Sequence, residues 1–326
     1  MKIWPVPTIE VLPFSEIDEP RSVVLITSAP AWQAVHHRLH LPIAWRMDPQ
    51  EATREHWDAL SDNSSGNVVY AVGGGLVADA AKYVAVHHSL PLVCLPTALS
   101  VDAFFTWTSG IRRDGCVTYF KTKPPDHVMM DFDVLTAAPP PIRAAGICDV
   151  LSIATGLWDW RFAEDRGQNP PEMAYNPSVA RVAAAILQSA LDCAEAAGRG
   201  DRDGLKQLLD CLVMEVQLCN QMGHSRPEEG SEHYFAYAME NAMGAGLPHG
   251  DLVGPGIVLM AERQGQEVAP LRRALQACHI PLDNIPQPVV ESTLRALPEY
   301  VRRHQLPYGI AHELAGDAPR PRLGGG

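Results

Sequence analysis

Three segments of this chain carry side chains suited to holding a metal ion. Asp149 lies in AAGICDVLS, His233 in EEGSEHYFAYAME and His249 in AGLPHGDLVG. Two imidazoles and one carboxylate are a suitable three-ligand set for Zn2+ or Fe2+, with positions left over for a substrate oxygen. A cation held that way can polarise a carbonyl or stabilise an alkoxide as a Lewis acid. The residues form no HExxH or CxxC pattern, and the chain has 13 His, so spacing alone does not join them. His87, His88, His224, His279, His304 and His312 read as structural or exposed. Asp149 shares a helical face with the small residues Ser152 and Gly156, which suits a carboxylate in a cleft wall; a solvated or helix-capping Asp is the plainer alternative. His233 and Tyr237 are one turn apart on one helical face. His249 stands in a Gly- and Pro-flanked loop that leads into a helix.

A second group of residues suits a phosphate-bearing ligand. VVYAVGGGLVADAAKYVAVHH reads as strand, three glycines and helix. Gly73, Gly74 and Gly75 let the backbone turn tightly and approach a ligand, and the free N–H groups opening the next helix favour a pyrophosphate. The triplet is not G-x-G-x-x-G, and a tight turn with no ligand fits it as well. Asp79 and Lys82, three residues apart, are neighbours on that helix, where a surface ion pair is the plain reading. The following strand ends in PTALSVDAFFTWTSG, which puts Thr97, Ser100 and Asp102 at the carboxyl edge of a sheet, where open α/β sheets bind ligands.

These residues need elements to position them. Ser22–Ser28, Asn67–Val72 and Leu90–Leu95 are compact apolar runs suited to buried strands, and Ile43–Arg46, Val117–Phe120 and His127–Met130 to weaker ones. Helical candidates at Ala31–Leu39, Gln50–Leu60 and Val77–His87 alternate with them, which predicts a parallel sheet with crossovers. The run AAPPPIRAAG (Ala137–Gly146) marks a boundary. Beyond it, Ile142, Ile147, Val150, Leu151, Ala154, Leu157 and Trp158 form one apolar stripe. Pro177–Ala197, Gly204–Met222, Glu232–Ala245, Leu252–Gln264 and Val268–Ala277 are helical in period. The expected organisation is a Rossmann-like α/β domain over 1–138, an all-α domain over 139–314 and a disordered tail over 315–326.

Bulk composition narrows the classes of partner. At 326 residues, 46% hydrophobic and 20% charged, the chain suits two globular domains. A formal net charge of −12 and no basic run interleaved with aromatics argue against nucleic acid. The N-terminal stretch has no apolar run of signal-peptide type, and no stretch of about 18 apolar residues occurs, so no membrane association is expected. Seven Cys without CxxC spacing read as reduced thiols, consistent with a cytoplasmic protein.

The motifs GGGLVADAAKYVA, PTALSVDAFFT, VMMDFDVLTAAPP, AAGICDVLSIATGLWDW, GSEHYFAYAME and LPHGDLVG resemble, in that order, the dehydroquinate synthase-like superfamily. The likeness is greatest to its glycerol-1-phosphate dehydrogenase branch, alongside the iron-containing alcohol dehydrogenases. The resemblance implies a Rossmann-like domain, an all-α domain and an active site in the cleft between them. It implies that Gly73, Gly74 and Gly75 hold the pyrophosphate of NAD(H) or NADP(H), with Asp79 near the nicotinamide and Thr97, Ser100 and Thr106 lining the cofactor. It further implies that Asp149, His233 and His249 bind one Zn2+ or Fe2+, and that Asp102, Asp149 and Tyr237 face a small-molecule substrate; a homo-oligomer is expected.

Departures from the family pattern bear on substrate and cofactor. Tyr237 stands where the dehydrogenase branch commonly has a second His, and a phenol carries no positive charge with which to meet a phosphate. Cys148 replaces the usual Gly, and ITSAPAW lacks the acidic residue that often grips a ribose. The implied reaction interconverts a small ketone and alcohol, as a polyol, hydroxyketone or its phosphate. Lys121, Lys123, Arg112 and Arg113 could meet an anion but read better as solvated surface. A sugar-phosphate cyclase of the dehydroquinate synthase type, using NAD+ transiently, is the alternative. Asp149 in place of the Glu typical of those synthases, and the lack of their lysine-rich loop, favour the dehydrogenase.

Overall fold

The structure is a computed structural model that describes residues 3–244 and 247–314; the tail expected to be disordered lies outside them. The first part alternates strands and helices: β1 (Thr8–Val11), β2 (Val23–Thr27), α1 (Ala29–Val35), β3 (Ile43–Met47), α2 (Arg54–Ser61), β4 (Val68–Gly73), α3 (Gly75–His87) and β5 (Leu92–Pro96). Then come β6 (Thr108–Arg113), β7 (Cys116–Lys121), β8 (His127–Met130) and α4 (Phe132–Ala137). Six strands form one sheet in the order β1-β8-β5-β4-β2-β3, and every pairing in it is parallel.

Strands β2, β4 and β5 are buried along their whole length, because helices or loops cover both faces. That is why they read as unbroken apolar runs. Val23, Leu25, Val68, Tyr70 and Val93 pack on one face with Val35 of α1. Val24, Ile26, Val69, Ala71 and Cys94 pack on the other, against Val77, Ala81 and Val84 of α3 and Trp57 of α2. On this second face the apolar cluster continues without a break into the helical part of the chain.

That part consists of α5 (Pro140–Arg143), α6 (Ile147–Leu151), α7 (Ile153–Asp165), α8 (Pro177–Arg199), α9 (Arg202–Met222), α10 (Ser231–Met243), α11 (His249–Arg263), α12 (Ala269–Ala277) and α13 (Gln287–Arg303). The long helices stop where their sequences say they should. Asn176 and Asp201 cap the N-termini of α8 and α9 with their side chains, and Gly200 and Gly223 end them in left-handed conformation.

Several elements differ from the sequence reading. Strand β1, β6 and helix α13 were not expected. The run Val117–Phe120 does not extend the main sheet; as β7 it pairs antiparallel with β6 in a separate hairpin. Its two-residue turn is Asp114-Gly115, both at positive φ, the mirror-image turn that matches strand twist. His249 is not in a loop before the helix, because α11 begins with it. Helix α6 ends at Leu151 and α7 starts at Ile153, so Asp149 and Gly156 do not share one continuous helix.

Candidate active site and metal centre

A cleft of about 1740 Å³ opens at the carboxyl edge of the main sheet. Gly74, Gly75, Leu76 and Asp79 of the glycine turn and α3 line it, as do Thr97, Ser100, Asp102 and Thr106 from the segment after β5. Asp149, His233, Tyr237 and His249 line it from the helical side. Of the residues expected to hold cofactor, metal or substrate, Gly73 alone is not among those lining the cleft. It ends β4, is buried, and its carbonyl accepts from the Thr97 N–H at 3.3 Å, so its part in the turn is structural.

The Asp149, His233 and His249 ligand atoms lie within 4.8 Å of one another. Three tertiary devices bring them together. Gly256 of α11 lies so close to α10 that an added Cβ would stand 2.6 Å from the Glu232 carbonyl oxygen, and this approach sets His233 beside His249, with ring centroids 5.4 Å apart. Gly146 lets the chain before α6 pass against the loop after β5, where its N–H donates to Leu99 O at 2.8 Å. Asp149 Oδ2 then accepts from the Asp102 N–H at 2.8 Å. Ser152 and Gly156 do not line the cleft beside Asp149. The Ser152 hydroxyl donates to the Glu228 carbonyl, and Gly156 makes room for the Glu228–Glu229 backbone.

The donors suit a divalent cation. Glu232 Oε1 lies 2.9 Å from His233 Nδ1 and also accepts from the Gly230 N–H at 2.6 Å. This fixes the ring and leaves Nε2 to serve as ligand, the carboxylate–imidazole arrangement common behind metal-bound His. Burial opposes charging of His233, but the Glu232 hydrogen bond and charge outweigh it and lift the imidazole to about 9. His249 Nε2 and Asp149 Oδ1 are 3.0 Å apart, close enough for both to meet one cation. Asp102 is pushed up to about 7, by burial first and then by the charge of Asp149.

The nucleotide side fits a pyrophosphate. Gly74 stands at the cap position just before α3 and offers no side-chain cap, so the first N–H groups of this 13-residue helix open onto the cleft at the positive end of the dipole. A Cβ on Gly75 would come 2.9 Å from Val101 Cγ2 and fill the space.

Lys82 departs from the surface ion pair expected with Asp79. The pair forms, at 2.8 Å, but the ammonium is fully buried. It also donates to Thr106 Oγ1 at 3.0 Å, to Ala103 O at 3.1 Å and to Thr108 O. It therefore ties α3 to the loop that carries Asp102, and it occupies the Thr106 hydroxyl.

Tyr237 donates to Glu229 Oε1 at 2.8 Å, so its contact at 3.2 Å with Tyr119 runs with Tyr119 as donor. Burial, and then the Glu229 charge, hold the Tyr237 phenol well above its usual range. Arg112 is not a free anion contact: it pairs with Glu240 through two bonds, at 2.8 and 3.1 Å, and pins the β6–β7 hairpin to α10. Lys123 pairs with Asp126 at 2.7 Å, and Arg113 is exposed. Sequence reasoning missed Glu232, Glu229 and Tyr119. Glu232 had a signal, since it adjoins His233 in GSEHYF; Tyr119 reaches the site only through the hairpin.

Known proteins resemble this chain in part of its sequence and in its fold. A sequence model described as iron-containing alcohol dehydrogenase matches residues 18–139. Over those residues the chain is similar to the iron-containing alcohol dehydrogenases. It is 32% identical over 225 residues to a glycerol-1-phosphate dehydrogenase [NAD(P)+] of Sulfurisphaera tokodaii, a match covering 69% of this chain and 63% of that one. With the enzyme of the same name from Methanothrix thermoacetophila it shares 29% over 252 residues, 76% of this chain and 70% of the relative. The match thus spans less than two thirds of the Sulfurisphaera protein's length. Glycerol dehydrogenase from Schizosaccharomyces pombe has the same fold at 16% identity, with a TM-score of 0.67 over 99% of this chain and 88% of its own. Sulfoacetaldehyde reductase from Bifidobacterium kashiwanohense, solved in complex with NAD+, superposes with a TM-score of 0.64 at 16% identity over 98% and 100% of the two chains. The fold is therefore a parallel Rossmann-like sheet followed by a helical part.

Proposed function

We propose that this protein is a metal- and NAD(P)-dependent dehydrogenase that interconverts a small ketone and its alcohol. The observation that carries the reading is that Asp149, His233 and His249 converge on the same cleft as the uncapped start of α3. The names of the glycerol-1-phosphate dehydrogenase relatives support it. Within it, residues 1–138 form the nucleotide-binding domain and 139–314 the catalytic domain, and the protein works as a cytoplasmic homo-oligomer. Among the described residues no helix is long and apolar enough to cross a membrane.

When bound, the divalent ion supplies Lewis-acid polarisation of the substrate oxygen, and the nicotinamide supplies or accepts hydride. The protein's own groups do the rest. Gly74 and Gly75 admit the pyrophosphate without a Cβ in its way, and the α3 N–H groups hold it. Asp149, His233 and His249 hold the ion, with Glu232 fixing the His233 ring. Asp102, anchored through its N–H on Asp149, and Tyr237, held neutral, border the space left for substrate and position its hydroxyls. The protein loaded with Zn2+ or Fe2+ should oxidise NADH or NADPH with a ketone from a panel including dihydroxyacetone, its phosphate and hydroxyacetone. Absence of cofactor oxidation with every ketone and either metal would overturn the reading. Asp149→Asn should lower metal content and kcat together.

A further inference from the structure

Behind the trio lies a second group of convergent donors, of different chemistry. Asp102, Glu215 and Glu228 each present a carboxylate oxygen, and the three lie within 4.8 Å of one another. Asp102 comes from the loop after β5, Glu215 from α9, and Glu228 from the segment between α9 and α10. Oxygens so spaced can surround an ion at the 2.3–2.6 Å typical of Ca2+, or with slight contraction at about 2.1 Å for Mg2+.

Glu215 is the decisive residue. Its side chain is 1% exposed, and neither carboxylate oxygen has a hydrogen-bond partner. Glu228 Oε2 is likewise buried and without a partner. Buried carboxylates are ordinarily paired with a cation or fully hydrogen-bonded. Here the strongest charge influences on Glu215 are Glu228, Asp102 and Asp149, all of the same sign. Glu228 feels Asp102, Glu229 and Asp149 in the same way, and its one neutral partner is the Cys219 thiol. Lys82, which acts on Asp102, spends its ammonium on Asp79, Thr106 and two carbonyls. One divalent ion on Asp149, His233 and His249 would leave three carboxylates beside it with nothing to balance them.

We propose that Asp102, Glu215 and Glu228 form a second divalent-cation site adjoining the first. Its donors are all carboxylate oxygens, which suit a hard ion such as Mg2+, Mn2+ or Ca2+, whereas the two imidazoles of the first site favour Zn2+ or Fe2+. The Asp102 N–H bond to Asp149 Oδ2 joins the two sites, so the second ion would hold the loop after β5 in place beside the first. The proposal stands apart from the dehydrogenase reading, because it concerns ion binding and not turnover.

The full chain, stripped with chelator and equilibrated with Zn2+ and Mn2+ together, tests it by elemental analysis and by electron paramagnetic resonance of bound Mn2+. The expected result is one Zn2+ and one Mn2+ per chain, with Mg2+ or Ca2+ able to displace the Mn2+. Glu215→Gln and Glu228→Gln should keep the Zn2+ and weaken Mn2+ binding by about tenfold or more. His249→Ala should lose Zn2+ yet still bind Mn2+. Circular dichroism establishes that each variant folds, and Glu228→Gln, at a half-buried position, carries the test if Glu215→Gln does not. Zn2+ alone in the wild type, or unchanged Mn2+ affinity in a folded Gln variant, would overturn the proposal and show that protons balance these carboxylates.

Discussion

At neutral pH the metal-free protein should hold His233 as an imidazolium, and a metal ion must displace that proton before it can bind. Glu232 Oε1, 2.9 Å from Nδ1 in a buried setting, raises the imidazole to about 9 against the opposing effect of burial. A ligating imidazole must be neutral. Each pH unit below 9 therefore weakens metal binding about tenfold, and at pH 7 the loss is about a hundredfold, or about 2.7 kcal/mol. Calorimetric titration with Zn2+ in two buffers of different ionisation enthalpy reads this directly. About one proton should be released per ion at pH 7, with release declining near pH 9. In Glu232→Gln the buried negative charge is gone, His233 returns toward its ordinary range, and the slope between pH 7 and 9 should flatten. The same shift has a stability counterpart. A raised imidazole contributes stability that is fully present below about 6.5 and is lost as pH rises through about 9, so the metal-free protein should lose about 3 kcal/mol across that window. A Zn2+ affinity constant from pH 7 to 9, with no proton release, would refute the reasoning.

Other predictions follow from single contacts. Lys82→Met removes a buried ammonium from Asp79 and three oxygen acceptors. It should cost about 3–5 kcal/mol in urea unfolding, and a loss under about 1 kcal/mol would mean that the ammonium is dispensable. Gly256→Ala sets a Cβ 2.6 Å from the Glu232 carbonyl oxygen. It should cost about 1–3 kcal/mol and weaken Zn2+ binding by moving α10 off α11; unchanged affinity would show that the helix spacing does not set the site. Gly75→Val places branched carbons against Val101 and over the start of α3. Its KM for NAD(P)H should rise by about a hundredfold with metal content unchanged, and an unaltered KM would place the pyrophosphate elsewhere.

The runs that became β2, β4 and β5 were legible because strands covered on both faces need apolar residues at every position. The glycine triplet was legible because few other sequences turn from strand to helix so tightly. Strand β6 was not, since in TSGIRR only Ile111 is a large apolar residue, and its one strong cue, Asp114-Gly115, is two residues long. The short β1 lies between prolines, and α13 carries Pro298 inside it, which breaks the pattern that announces a helix.

For the site, sequence determined which donors exist and in which segments they stand: a carboxylate at 149, imidazoles at 233 and 249, and glycines at the head of a helix. Local chemistry and period suffice for that, because residue type and helical phase are properties of the chain itself. Distance is not such a property. The tertiary structure decided that Gly256 lets α10 approach α11 and bring the two imidazoles together. It decided that Lys82 lies in the interior although its spacing from Asp79 reads as a surface pair, and that Glu215 and Glu228, unremarkable among 38 acidic residues, meet Asp102. Close approach between segments far apart in the chain depends on where a missing Cβ or a buried charge permits contact, and only the packed fold fixes that.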